Sequence, residues 1–251
     1  AAGRGLDEAA VREAVDAAPL TPEEALGRGL VDRIGYRDEV YADLRRRLGE
    51  VELKFVDRYG KGGLAQAGAA VARRHKPVVA VVHAAGPIHL GRSSSTPLSG
   101  RSVGSDSIGT ALRAAAKDDA VKAVVLRVDS PGGSYVASDT IRRELLALRG
   151  TGKPVVASMA NVAASGGYYI AMPADRVLAS AGTITGSIGV LAGKQVIREM
   201  LERVGVRRES VASGRYADMF SSDRPFDEDE WSRLETWLDR VYDDFTAKAA
   251  H

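Results

Sequence analysis

Two short turns hold the residues best suited to covalent chemistry. The first is Asp129-Ser130-Pro131-Gly132-Gly133, at the end of an apolar run. Pro-Gly ends a strand well in its own right. Two successive glycines also leave backbone N–H groups unshielded by side chains. At the carboxyl end of a parallel strand, such N–H groups can bind developing negative charge. The second turn is Ala163-Ala164-Ser165-Gly166-Gly167-Tyr168-Tyr169. A serine at a strand-to-helix junction, flanked by alanine and glycine, is sterically open. The glycine after it lets its N–H face the same point in space as the hydroxyl. This is the mechanical logic of a nucleophile elbow, although a GxSxG pattern is absent. The same serine also fits an ordinary helix N-cap. Acyl transfer needs a nucleophile and oxyanion donors together, so the two turns gain meaning as a pair.

Other chemistries find less support. The four histidines, His75, His83, His89 and His251, form no HxxxH or HExxH pair, so no metal site is expected. His83 falls in a strand and His89 in a polar loop, and both read as structural. Gly186-Ser187-Ile188-Gly189 lacks the spacing and the lysine of a phosphate loop. With no cysteine, disulfides, thiolate zinc sites and cysteine nucleophiles are excluded, and the compartment is left open. The 35 basic and 33 acidic residues leave a net charge of +2, which gives no electrostatic case for nucleic acid or an anionic membrane. The 251 residues are 45% hydrophobic and 27% charged, as in a globular chain with a sizeable core. Apolar stretches such as 77–85 are too short to span a bilayer, which takes about 20 residues. Any anchor is therefore expected outside this chain, and Ala1-Ala2-Gly3-Arg4-Gly5 reads as the start of a fragment.

The elements that must position the two turns follow from periodicity. Residues 6–16 read as a helix with an acidic first turn. Thr21-Pro22-Glu23-Glu24 reads as an N-cap, a first-turn proline and a capping box, and that helix stops at Gly27 and Gly29. A third helix is expected over 36–48. Residues 60–74 are small, polar and Gly-rich, and read as a linker. From residue 77 the pattern becomes strand, helix, strand, helix: a buried strand over 77–85, a polar mobile loop over 89–107 and a helix over 108–116. Then come a strand over 121–130, a helix over 137–148, strands over 154–159 and 175–180, and between those two strands a helix around 164–172. This predicts an α/β domain with a largely parallel sheet and right-handed crossovers. Residues 227–248 read as a long amphipathic helix with Trp231, Leu234, Leu238, Val241 and Phe245 on one face.

Three blocks make the chain resemble a known family: SPGGS at 130–134, AASGGYYIAMPADRVLAS at 163–180 and TITGSIGV at 183–190. They are similar, in order and spacing, to the signal peptide peptidase A family, the S49 Ser–Lys proteases. The resemblance covers about 77–248. It implies the β-β-α superhelix shared with crotonases and the Clp protease proteolytic subunit. It implies Ser165 as nucleophile, the N–H groups of Gly133 and Gly166 as the oxyanion hole, and Ser187 as a residue that positions the general-base lysine. No cofactor or metal is implied. Peptide substrates, namely cleaved signal peptides and unfolded segments, are implied, as is a homo-oligomer, possibly a tetramer. A membrane-associated protease domain on the extracytoplasmic side is also implied.

The lysine is where this chain departs from the family. Short-form members carry it in a segment resembling SGxxKD. Here that segment reads Ser213-Gly214-Arg215-Tyr216-Ala217-Asp218, with Ala217 at the lysine position. Alanine cannot accept a proton, and the Arg215 guanidinium stays protonated. Lys194 is close in sequence but reads more simply as an exposed helix-start residue. Long-form members divide the dyad between tandem repeats. The expectation is therefore that 1–48 is the helical end of a preceding repeat, 49–76 a connecting segment and linker, and 77–251 the nucleophile-bearing protease domain. The lysine would come from an N-terminal half upstream of Ala1, and the chain alone would be inactive. Two other readings stay open: a crotonase-like acyl-thioester enzyme, and a catalytically dead scaffold or binding domain.

Overall fold

The computed structural model describes residues 2–49, 77–96 and 100–250, so the linker expected over 60–74 lies outside the described residues. The chain forms two compact units. One joins Ala1–Arg37 to Val190–Asp243, and the other joins Asp38–Gly189 to Asp244–His251.

The first helices form where local chemistry favours them. Asp7 caps α1 (Glu8–Ala17) by accepting from the Ala10 N–H at 2.7 Å. Thr21 and Glu24 close a complete capping box on α2 (Pro22–Gly27), with Pro22 in its first turn, as the sequence predicts. Next comes α3 (Arg37–Leu48), with Asp38 and Glu39 in its first turn and three arginines in its last, which suits the helix dipole.

The second unit contains β1 (Val78–Ala85), β2 (Ile88–His89), β3 (Ser95–Thr96), β4 (Gly100–Arg101), β5 (Val103–Gly104) and α4 (Ser105–Lys117). It continues through β6 (Val121–Ser130), α5 (Tyr135–Arg149), β7 (Val155–Ala164), α6 (Gly166–Ala171), β8 (Arg176–Leu178) and β9 (Ile184–Gly186). The main sheet runs β1-β6-β7-β8, with β9 also on β7, and every pairing in it is parallel. This is the expected α/β class. Val124, Leu126 and Val128 alternate on the inner face of β6. They pack in one cluster with Leu112 of α4 and with Ile141, Leu145 and Leu148 of α5. Each fully buried aliphatic side chain contributes about 1.5–3 kcal/mol.

Three expectations need correction. The strand over 77–85 is not buried on both faces: among the described residues β1 is a sheet edge, with Val79 and Val81 more than half exposed while Val82 and Ala84 point inward. Its β-branched run signals strand but cannot report which face is covered. The polar stretch 89–107 is also no plain loop. In it β3 pairs antiparallel with β4, and β2 pairs parallel with β5. His89 ties this region together. Leu90 O can only accept, so Nδ1–H donates to it at 2.7 Å, and Nε2 is hydrogen-bonded to the Ser102 hydroxyl at 2.9 Å. Finally, β7 runs five residues beyond 159.

The first unit continues with α7 (Arg198–Arg203) and the start of α8 (Glu228–Ala249), whose last turns, from Asp244, belong to the second unit. Leu234, Val241 and Phe245 of the expected stripe are buried, but Trp231 is exposed and Glu230 is buried instead. Arg224 explains the exchange, because its guanidinium clamps both Glu230 oxygens at 2.5 and 2.7 Å. Among the described residues, no helix is long and apolar enough to cross a membrane.

Candidate active site

A bend in β7 sets where the site lies. Val128 faces Met159, yet two residues later Ser130 faces Ala163, so β7 takes four steps while β6 takes two. The surplus is stabilised where the Val162 N–H donates to Asp129 Oδ1 at 3.1 Å. The bend divides the strand's partners: Val156–Ser158 pair with β8, and Val162–Ala164 pair with β9. The strand end, and Ser165 with it, is thereby re-aimed.

Ser165 sits at the N-cap of α6 with φ 51° and ψ −121°. A positive φ in a non-glycine residue costs about 1–3 kcal/mol and persists only where the surroundings hold it. Its N–H donates to Gly186 O at 2.8 Å, and its carbonyl accepts the Tyr169 N–H at 2.9 Å. Its hydroxyl makes no capping hydrogen bond. The N-cap reading of the sequence therefore accounts for the position of Ser165 but not for its side chain.

The Pro-Gly-Gly turn is packed against this junction backbone to backbone. A Cβ on Gly132 would lie 2.6 Å from the Gly166 nitrogen and 2.9 Å from Ser165 Cβ. A Cβ on Gly166 would lie 3.3 Å from the Gly133 nitrogen and 2.5 Å from Ser138 Oγ, and one on Gly167 would meet Ser130 O at 2.4 Å. Gly133, at φ 148°, lies against Ile88, whose carbonyl a Cβ would meet at 2.1 Å. β2 braces the turn from the other side: the Ile88 N–H donates to Gly132 O, and its carbonyl accepts the Ser134 N–H, each at 2.8 Å. The Gly132 N–H is taken by Ser130 Oγ at 3.1 Å. The N–H groups of Gly133 and Gly166 enter no hydrogen bond among the described residues, and Gly166 opens a helix, where the N–H has no intrahelical acceptor. The structure thus gathers Ser165, Gly133 and Gly166, residues 32 or more positions apart for the two turns. Ser187 follows β9 directly, with its own strained φ of 51°.

Three of the described lysines, Lys194, Lys153 and Lys248, make contacts away from Ser165. Lys194 donates to Met219 O and lies 4.2 Å from the centroid of the Phe226 ring. Lys153 caps the end of α4 through the carbonyls of Ala115, Ala116 and Asp118. Lys248 pairs with Asp139 and Asp244. Among the described residues, no lysine hydrogen-bonds Ser165, and no cluster of three or more histidine or carboxylate side chains is arranged to hold a metal. Sequence reasoning missed the bracing groups, namely Ile88, Gly186 O and the Tyr169 cluster. Only the i,i+4 spacing of Asp244 and Lys248 could have hinted at them.

Known proteins resemble this chain in sequence. Residues 147–251 match the model of peptidase family S49. The chloroplastic serine protease SPPA of Arabidopsis thaliana is 35% identical over 227 residues, covering 88% of this chain and 33% of that protein. Protease 4 of Salmonella typhi is 45% identical over 141 residues, covering 56% of this chain and 22% of that protein. The chain thus spans a third or less of the length of these two curated relatives. Among solved structures, a mutant of the 1510-N membrane-bound stomatin-specific protease overlaps 48% of this chain and 52% of its own, at 23% identity and a TM-score of 0.37. ClpP1 from Listeria monocytogenes overlaps 75% and 85%, at 12% identity and a TM-score of 0.36. Overlaps this loose add nothing to the fold, which rests on the parallel sheet itself.

Proposed function

For a chain that belongs to peptidase family S49, we propose that it carries the nucleophile of a serine endopeptidase whose general base is a lysine supplied from outside these residues. Ser165 attacks the scissile carbonyl carbon, and its proton passes to the neutral lysine amine. The N–H groups of Gly133 and Gly166 stabilise the tetrahedral oxyanion, each donor lowering the barrier by about 3–4 kcal/mol. The amine collapses out with that proton, and water then releases the acyl group by the reverse path. Ser187 orients the lysine.

The observation that carries this reading is the Ser165 junction: a strained serine whose hydroxyl does not cap its own helix, beside two glycine N–H groups that no described acceptor uses. Substrates are unfolded peptides, cleaved signal peptides among them, and the intact enzyme is an oligomer held at a membrane by a segment other than those described. Residues 77–251 form the protease domain, and 1–48 close a preceding repeat.

The test is Ser165→Ala in the intact protein. Peptide hydrolysis and labelling by a fluorophosphonate are both expected to vanish while circular dichroism and Tm stay as in wild type. Hydrolysis at near wild-type rate would end the assignment. The chain by itself is expected to be inactive and to regain turnover when the lysine-bearing portion is added. Robust turnover by the chain alone would point to a base within it, such as Lys194, and the divided dyad would be dropped.

A further inference from the structure

One turn beyond Ser165, α6 is fastened by a cluster that the proposed chemistry does not use. Tyr169 is 1% exposed, and its ring makes edge-to-face contacts with Tyr135 at 5.8 Å and Phe245 at 4.9 Å. Its hydroxyl reaches two carboxylates, Asp139 Oδ1 at 2.9 Å and Asp244 Oδ2 at 3.2 Å. The Tyr135 hydroxyl donates to the same Asp244 oxygen. Two carboxylates around one phenol repel each other unless a cation joins them. Lys248 supplies it: Nζ lies 2.8 Å from Asp139 and 2.9 Å from Asp244, and 5.6 Å from the Tyr169 ring centroid. The Arg142 guanidinium lies 6.0 Å from the same centroid. The groups facing this cluster are therefore Tyr135, Asp139 and Arg142 of α5, Tyr169 of α6, and Asp244 and Lys248 of α8.

We propose that Lys248, Asp139 and Asp244 are positioning residues for Ser165, clamping Tyr169 so that the short α6 holds the strained junction at its start. The mechanical link is direct, because the Tyr169 N–H donates to the carbonyl of Ser165 itself. A six-residue helix has little stability of its own. On the other side of Ser165 the junction is held through Gly186 O. Tyr169 is the corresponding hold from within the helix. Charge balance sets its strength. Burial alone would raise Asp244, but hydrogen bonds from Lys248 and Tyr135 hold it below the ordinary carboxylate range. Burial would likewise lower Lys248, but Asp139 and Asp244 hold it above its ordinary range.

The proposal rests on Ser165 being the nucleophile, so its test needs a readout independent of that role. In Lys248→Met, amide exchange over 166–171 is expected to speed up about tenfold relative to α4, because the clamp's cation is gone. In the intact protein, kcat on an unfolded peptide falls about tenfold with KM unchanged, since misplacing a reacting group costs rate more than binding. Loss of the Lys248 ammonium beside Asp244 raises the Asp244 pKa relative to wild type, with the Tyr135 hydroxyl still donating to it. The deficit is therefore largest at neutral and alkaline pH and shrinks as the pH falls and the carboxyl takes up a proton. Lys248→Arg restores most of both signals. Tyr169→Phe keeps the packed ring and removes only the hydroxyl; it provides the same comparison, about threefold in exchange, should Lys248→Met fail to fold. Unchanged exchange over 166–171 in both variants, or a kcat deficit independent of pH, would overturn the clamp. If exchange rises while Ser165→Ala remains active, the clamp stands and the nucleophile assignment fails.

Discussion

The two units are held by different forces. The sheet unit relies on apolar burial and on backbones that touch through glycine, with Leu126, Ile141 and Leu145 fully buried and no room for a Cβ at Gly133 or Gly167. The unit built from 1–37 and 190–243 buries few large apolar side chains and is laced with guanidinium–carboxylate contacts. Arg233 reaches Ala17 O, Pro19 O and Glu24; Arg240 pairs with Glu23, Arg224 with Asp218 and Glu230, and Arg4 with Asp32. A serine held at a strained φ, as Ser165 is, belongs on the first kind of scaffold, because close packing is hard to deform while exposed ion pairs yield to water and salt.

This difference can be broken most sharply at a glycine. Gly133→Ala is expected to cost about 4 kcal/mol in urea unfolding, since its Cβ would enter the Ile88 backbone at a φ that disfavours alanine. Gly193→Ala, where nothing lies within 4 Å of the added carbon, is expected to be close to neutral. Equal costs at the two positions would mean that close backbone packing is not what holds the sheet unit. Next in size is Ile141→Ala, which empties a fully buried site on α5 and should cost about 3 kcal/mol, nearly independent of salt. In the other unit, Arg224→Met leaves Glu230, 1% exposed, without its cation and should cost about 2 kcal/mol. Hydrogen exchange should place that loss in 190–243 and show the remaining ion pairs weakening between low and high salt. A salt dependence equal in both units would remove the contrast.

The sheet unit was the more legible of the two in sequence. β6 and α5 announce themselves through periodicity, and both turns through their glycines, because these signals are local. The bend in β7 was not legible, since Asn161 and its small neighbours give no periodic cue and the bend is set by Asp129, more than thirty residues away. The edge position of β1 escaped for a similar reason: β-branched residues mark a strand and say nothing of what covers it. The brace from Ile88 and the clamp around Tyr169 are long-range by nature. Their partners, Gly133 in one case and Asp139 and Asp244 in the other, meet only once the sheet and its helices are assembled.

The smallest expected effect lies in the unit held by ion pairs, at the capping box of α2. The Glu24 carboxylate accepts the Thr21 N–H at 2.6 Å, and the Thr21 hydroxyl accepts the Glu24 N–H at 3.2 Å. The backbone hydrogen bond from Thr21, and then Arg233, hold Glu24 at about 2 against an ordinary 4.5. A depressed carboxylate adds stability that is fully present above its unfolded pKa. That stability is lost as the pH falls through the folded one, so the window here runs from about 4.5 down to about 2. Because the side chain is 39% exposed, solvent screening keeps the amount to a fraction of the ideal value. Thr21→Ala is expected to cost about 1 kcal/mol at neutral pH. Glu24→Gln can still cap the helix, so it should cost less at neutral pH and flatten the acid limb of the unit's stability over that window. Exchange protection of the α2 amides, followed from pH 5 to pH 2 in both variants, reads the two effects separately. An acid limb unchanged in Glu24→Gln would show that other carboxylates, with Glu230 the first to examine, govern the acid response of this unit.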